Sequence, residues 1–304
     1  MERDIYDEDH EAFRDVVKEF CKRYVTNAAR EKWDADGQID RETLRAAGDA
    51  GVMGLSVPEE YGGAGMLQDY RFRAIVNEEV IAAGAGSLAG ALGIQDDLAV
   101  PYLVHMGTDA QKQKWLPGMA TGEIIGALAM SEPGAGSDLR GISTTAKKVD
   151  GGYVVNGAKT FISSGASADV VVTFVKTGEG NRPEAFSLLL IETSSEGFDH
   201  GKKLQKMGFH GHDTAELSFT DVFVPEENLI SGKEGQGFIQ LMMNLPLERL
   251  SIGVAGAAAA QAALDWTLDY TRSREAFGQR IIDFQNSRFQ MADVATTVDA
   301  LWAY

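Results

Sequence analysis

Ala129-Met-Ser-Glu-Pro-Gly-Ala-Gly-Ser-Asp-Leu-Arg-Gly141 stands where the sequence changes its period. Before it, from His10 to about Leu116, apolar residues recur at helical spacing. Phe13, Val16, Val17 and Phe20 make one amphipathic face. After it come short runs rich in β-branched residues, at 168–176, 186–191 and 215–224. From about Gly237 helical patterns return, first the Ala-rich 250–268 and then the amphipathic 284–302. No long helical pattern separates the strand candidates, which argues for an antiparallel barrel or sandwich rather than βαβ units. The expected fold is α+β in three parts: a helical segment 1–121, a β segment 122–233 and a helical segment 234–304.

The stretch itself holds Gly134 and Gly136, but it lacks the third glycine of a dinucleotide fingerprint and no helix pattern follows it. No nicotinamide site of that type is therefore expected. Two readings remain. Pro, Gly, Ser and Asp are turn residues, so a surface turn is the simpler one. The other is a loop of small residues with free backbone donors, able to lie against a flat cofactor or a thioester.

Composition narrows the class. The net charge of −17 over 304 residues repels nucleic acid and anionic membranes, so neither is expected as a partner. The single cysteine, Cys21, forms no internal disulfide and no cysteine-cluster metal site, which suits a reducing, cytoplasmic setting. The acidic start lacks the basic and apolar runs of a signal peptide. The uncharged stretches 81–94 and 250–264 fall short of the ~20 residues that span a bilayer.

Local signals are specific in places. Thr108-x-x-Gln111 has the form of a capping box. Leu44 opens a short helix that Gly51 can close. Asn156-Gly157 reads as a hairpin turn. Phe161 and Ser163 read as a strand's inward aromatic and outward serine. Glu248 shares a helical face with Leu241, Leu245 and Ile252, while Arg249 points elsewhere and Pro246 interrupts the backbone bonding. It is either a helix-start glutamate, stabilised by roughly 0.3–1 kcal/mol at the positive dipole end, or a desolvated base with a raised pKa. Arg272-Ser-Arg-Glu-Ala-Phe-Gly278, with Gln285 beyond it, is either a pyrophosphate-binding turn or a solvated helix end. His210 and His212 lack carboxylates at metal-ligand spacing, so a loop role and no metal site are expected. Lys202, Lys203 and Lys206 form the clearest basic patch.

Residues 129–141 resemble the first signature of the acyl-CoA dehydrogenases throughout. Further similar motifs follow in the family's order: Tyr61-Gly-Gly-Ala-Gly65, Gln113-Lys-Trp-Leu-Pro117, Asn156-Gly157 with Lys159, Phe161-Ile-Ser163, Lys206-Met-Gly208, Asp213-Thr-Ala-Glu216, Val224-Pro-Glu-Glu-Asn228 and Arg274-Glu-Ala-Phe-Gly278. The likeness is strongest to long-chain and isovaleryl members. It implies a helical domain, an antiparallel β-barrel domain and a helical bundle with FAD between them. It also implies that Leu128, Met130, Ser131, Gly136 and Ser137 line the flavin, with Phe161, Ile162 and Ser163 at its reactive edge. Glu248 falls where those members carry the catalytic base, and Ser137, Leu245 and Arg249 fall at the acyl-CoA. Arg274, Phe277 and Gln285 correspond to contacts on a neighbouring subunit's FAD, in a homotetramer built as a dimer of dimers. The implied reaction is α,β-dehydrogenation of a fatty acyl-CoA, with electrons passed to an electron-transferring flavoprotein. The alternatives are a flavin oxidase or monooxygenase of the same fold and a non-catalytic subunit. The family continues past the position of Tyr304 with further helices and a second signature, Gln-x-x-Gly-Gly-x-Gly, so the chain is expected to hold only part of the C-terminal bundle.

Overall fold

The computed structural model describes residues 4–304, so the first three residues of the acidic start lie outside it. The chain opens with helices α1 (Glu8–Tyr24), α2 (Asn27–Asp36), α3 (Arg41–Asp49), α4 (Tyr70–Ala82), α5 (Gly86–Gly93), α6 (Val100–Met106) and α7 (Asp109–Thr121). A single π-helical turn, Ile94–Ala99, joins α5 to α6. Asp7 starts α1 by accepting from the backbone N–H groups of Asp9 and His10. Val17 and Phe20 face the core as expected, but Val16 is 44% exposed and lies off that face. The Thr108–Gln111 capping box forms. The Gln111 amide then donates to the carbonyls of Glu227 and Leu229, at 2.7 and 2.8 Å, and so ties the helical segment to the β segment.

The β segment holds β1 (Gly126–Ala129), β2 (Thr145–Val149), β3 (Gly152–Ser163), β4 (Val170–Lys176), β5 (Phe186–Glu192), β6 (Phe198–Asp199) and β7 (Thr214–Pro225). They form one curled sheet in the order β1-β4-β2-β3-β7-β6, with β5 also on β4. Pairing is antiparallel except where β1 runs parallel to β4 and β2 meets β4 at Thr145–Lys176. Both faces of β4 and β5 are covered. Val170, Val172, Phe174, Leu188 and Leu190 pack towards the helices with Tyr102 and Leu241. Val171, Val175, Leu189 and Ile191 pack inside the sheet with Tyr153 and Leu217. Burial on two sides explains why these strands read as continuous apolar runs.

Asn156-Gly157 does not turn the chain, contrary to expectation. The hairpin between β2 and β3 turns at Asp150-Gly151, and β3 passes through Asn156-Gly157 with a register shift against β7. Gly157 has φ 148°, and a Cβ there would stand 2.4 Å from Thr144 Oγ1. Asn156 exchanges hydrogen bonds with Asp221, both at 2.9 Å. The pair is a bulge, which needs the same backbone freedom as a tight turn.

The last segment is α8 (Gly237–Ser273), the hairpin β8 (Glu275–Ala276) to β9 (Gln279–Arg280), and α9 (Gln285–Ala303). Phe277-Gly278 forms the two-residue turn, with φ 54° and 80°. Pro246 lies inside α8, which continues across it. Among the described residues no helix is long and apolar enough to cross a membrane. Gly157→Ala is expected to destabilise the chain by about 1–3 kcal/mol through overpacking against Thr144. A Gly157→Ala melting temperature equal to that of the parent chain would disprove the bulge argument.

Candidate active site

The 129–141 loop is fastened to β3 by a buried ion pair. Lys159 Nζ lies 3.0 Å from Glu132 Oε1, with the two side chains 0% and 3% exposed. The same ammonium donates to the Met130 carbonyl at 3.0 Å, and the Thr160 N–H donates to the Ser131 carbonyl at 3.0 Å. Glu132 also accepts from the N–H and hydroxyl of Ser143 and from the Thr144 N–H. Burial disfavours its charge, but Lys159 and these donors outweigh burial and hold Glu132 down to about 2. The loop beyond is open. Gly134, Gly136 and Ser137 are exposed, and a Cβ at either glycine would meet nothing within 4 Å. Their N–H groups make no hydrogen bond among the described residues.

Immediately past the clamp, β3 breaks register between Lys159 and Ile162. Phe161 stands in that break at φ 59°, 70% exposed. It is not the inward aromatic of a regular strand, because the irregular backbone turns its side chain outward. Ile162 is buried in the sheet core, and half-buried Ser163 pairs with Thr214. Next to it, Ser164 Oγ lies 3.1 Å from His212 Nε2. Burial pushes His212 down to about 4, so its ring is neutral. His212 has the loop role expected of it, and Lys206 donates to its carbonyl.

Glu248 lies eleven residues beyond Gly237, the first residue of α8, so it is not a helix-start residue. Nor is its face purely apolar. The buried positions around it are Leu241, Asn244 and Ser251, while Leu245 is half-buried and Ile252 is 72% exposed. Glu248 Oε1 accepts from the Tyr102 hydroxyl at 2.7 Å and from Asn244 Nδ2 at 3.3 Å. Burial raises its pKa, against those two hydrogen bonds and the charge of exposed Arg249. One turn on, the Ser251 hydroxyl donates to Asp97 Oδ2 at 2.6 Å. Asp97 is paired with fully buried Arg73 at 3.0 Å. Leu128 and Met130 belong to the same apolar cluster as Tyr102 and Leu241, so the head of the loop and the Glu248 region share one core.

Tyr102, Asp97 and Arg73 were not singled out from the sequence. Asp96-Asp97 inside an otherwise apolar run was the available signal for the acid pair. Tyr102 gives no local signal. Arg274, Phe277 and Gln285 are all exposed and lie around the α8–α9 hairpin, and among the described residues they make no hydrogen bond or ion pair to the 128–137 or 161–163 segments.

Family models for the acyl-CoA dehydrogenase N-terminal, middle and C-terminal domains match residues 7–123, 127–222 and 235–304. Mitochondrial isovaleryl-CoA dehydrogenase of Arabidopsis thaliana is 38% identical over 99% of this chain and 73% of its own length. Mitochondrial long-chain specific acyl-CoA dehydrogenase of Rattus norvegicus is 37% identical over 97% and 68%. An acyl-CoA dehydrogenase structure from Geobacillus kaustophilus superposes with TM-score 0.92 at 40% identity, covering 98% of this chain and 78% of that one. One from Bacillus anthracis, complexed with FAD, superposes with TM-score 0.90 at 30% identity, covering 99% and 50%. Fold and matches together define an FAD-dependent oxidoreductase. The chain belongs to the acyl-CoA dehydrogenase family.

The residues present fit that cofactor. Uncommitted N–H groups on a loop without bulky side chains suit phosphate and ribityl oxygens, and the exposed ring of Phe161 suits a flat heterocycle. Removing the clamp tests its part in this. Glu132→Gln leaves Lys159 buried without a counter-charge, an expected loss of about 3–5 kcal/mol. The denaturant midpoint should fall and FAD retention with it. An unchanged midpoint would show that the ion pair does not hold the loop.

Proposed function

We propose that the chain catalyses α,β-dehydrogenation of a fatty acyl-CoA to the trans-2-enoyl-CoA, with Glu248 as the base that removes the α-proton. The observation that carries this reading is a buried carboxylate, held by Tyr102 and Asn244, in the core shared with the head of the 129–141 loop. Bound FAD supplies the electron sink for the β-hydride, and an electron-transferring flavoprotein takes the electrons onward. Leu128, Met130, Ser131, Gly136 and Ser137 hold the flavin and ribityl chain, and Phe161, Ile162 and Ser163 flank the reactive edge. Ser137, Leu245 and Arg249 contact the acyl-CoA. Arg274, Phe277 and Gln285 reach the FAD of a neighbouring copy, which calls for a homotetramer. Their exposure at the hairpin, where none of them bonds this chain's own loop among the described residues, supports that assignment. The lone buried Cys21 supports a cytoplasmic location.

Acyl groups of medium or long straight chain are the expected substrates, on the likeness of 245–249 and 161–163 to long-chain members. A ferrocenium-acceptor assay across acyl lengths checks this, and a clear optimum at a branched five-carbon group would reassign the chain to the isovaleryl type.

Glu248→Gln removes the proton acceptor and keeps the shape. It should bind FAD and acyl-CoA but reduce the flavin at least about 10²-fold more slowly. The ionised carboxylate is the active form, and burial raises its pKa. The parent rate should therefore climb with pH through that raised value and level off above it. Near-parent flavin bleaching by Glu248→Gln in stopped flow would remove Glu248 as the base.

A further inference from the structure

The carboxyl of Glu248 is held on one side only. Both of its hydrogen bonds, from Tyr102 and Asn244, fall on Oε1. Oε2 accepts none among the described residues and is not fully enclosed. We propose that Tyr102 is the positioning residue of Glu248, tying down Oε1 so that Oε2 alone is presented to the proton it removes. This rests on Glu248 being the base.

Tyr102 is well placed for that task. It is 0% exposed, on α6, in the apolar cluster with Val100, Leu103, Leu128 and Leu241, so its ring has no room to swing. Burial and the nearby Glu248 push its ionisation far up, so the phenol remains a donor at every working pH. Asn244, at 3.3 Å, sits near the limit of a hydrogen bond and shares the helix with Glu248. Pro246 lies between them and offers no N–H, so the backbone there lacks one of its stiffening bonds. A tether from another helix is what fixes the carboxylate in space.

The tether also has an electrostatic sign. A donor prefers the ionised carboxylate to the protonated acid, so Tyr102 works against the burial that raises the pKa of Glu248. The other groups facing Glu248 are few. Arg249 on its own helix favours the charge from an exposed position. His105 on α6 approaches Asn244, and burial and Lys112 push its own pKa down. The Asp97–Arg73 pair meets the next turn of α8 through Ser251.

The test is Tyr102→Phe in the FAD-loaded chain, labelled with carbon-13 at the glutamate carboxyls. The resonance missing from Glu248→Gln identifies Glu248. In Tyr102→Phe its titration midpoint should rise by about one pH unit, tenfold in proton affinity. The pH profile of flavin reduction should shift up with it. The maximal rate should fall on the order of tenfold because the carboxylate loses its aim, while the acyl-CoA KM changes little because Tyr102 orients the base and does not hold the substrate. A merely structural tyrosine would lower the melting temperature and leave the midpoint alone. Should Tyr102→Phe fold poorly, 3-fluorotyrosine at position 102 keeps the shape and strengthens the donor, and the midpoint should then move down. An unmoved Glu248 midpoint in both variants overturns the proposal, even if Glu248→Gln is inactive. If Glu248→Gln reduces the flavin normally, the base assignment fails first and the positioning role falls with it.

Discussion

One buried segment, from Gln95 to Tyr102, holds the parts of this chain in register through its polar side chains. The Gln95 amide donates to the carbonyls of Met119 and Ile124, and its oxygen accepts from the Gly126 N–H at 2.8 Å, fixing where β1 begins. Asp96 accepts from the Gly54 N–H at 3.1 Å, anchoring the loop after α3. Asp97 takes Arg73 of α4 and Ser251 of α8, and Tyr102 takes Glu248. Gln95, Asp96 and Asp97 lie in the π-helical turn, and consecutive residues of a helical turn point in different directions, so each side chain reaches a different part of the fold. Buried charges of this kind are costly unless paired. Arg73 offsets Asp97, while Asp96, more weakly compensated, is pushed by burial up to about 6.

The same physics separates two other buried carboxylates. Glu132 has an ammonium and three further donors, so its charge is secure and it acts as a fastener. Glu248 has two neutral donors on one oxygen and a raised pKa, so its proton affinity is free to matter. An under-compensated carboxylate in the core shared with the head of the 129–141 loop is a candidate for proton transfer, whereas Asp96, also raised but fully enclosed, serves as an anchor.

Much of this was legible in the sequence, for reasons that differ by residue. The helix–strand–helix order follows from the change of hydrophobic period, and the Thr108–Gln111 cap from three-residue chemistry. Asn156-Gly157 misled because a bulge and a tight turn ask for the same backbone freedom, and the choice lies with Asp221 and Thr144, far along the chain. Spacing puts Ile252 on the Glu248 face, yet it is exposed, because the next turn of the helix meets the interior through Ser251, which bonds Asp97. No local pattern carries a contact between residues 146 apart, which is the separation of Tyr102 and Glu248.

Backbone strain gives a second line of argument about the cofactor side. Phe161 and Phe277 both adopt positive φ, at 59° and 54°, a region that bulky side chains avoid. Such positions cost on the order of 1–3 kcal/mol each, and the surroundings must hold them. Neither ring recovers that cost by joining the core, since Phe161 is 70% exposed and Phe277 is 96% exposed. Glycine would relieve both positions, so stability alone does not explain phenylalanine there. Phe161 follows directly on the Lys159–Glu132 clamp, and Phe277 sits at the tip of a two-residue hairpin turn, so each is presented by a fixed support. A strained aromatic held outward on a rigid mount is suited to stacking on a flat ligand, and these are two of the positions that sequence likeness assigns to flavin contact. Phe209 shares both features, with φ 52° and 61% exposure, so the conformation suits the flavin contacts proposed for Phe161 and Phe277 without singling them out.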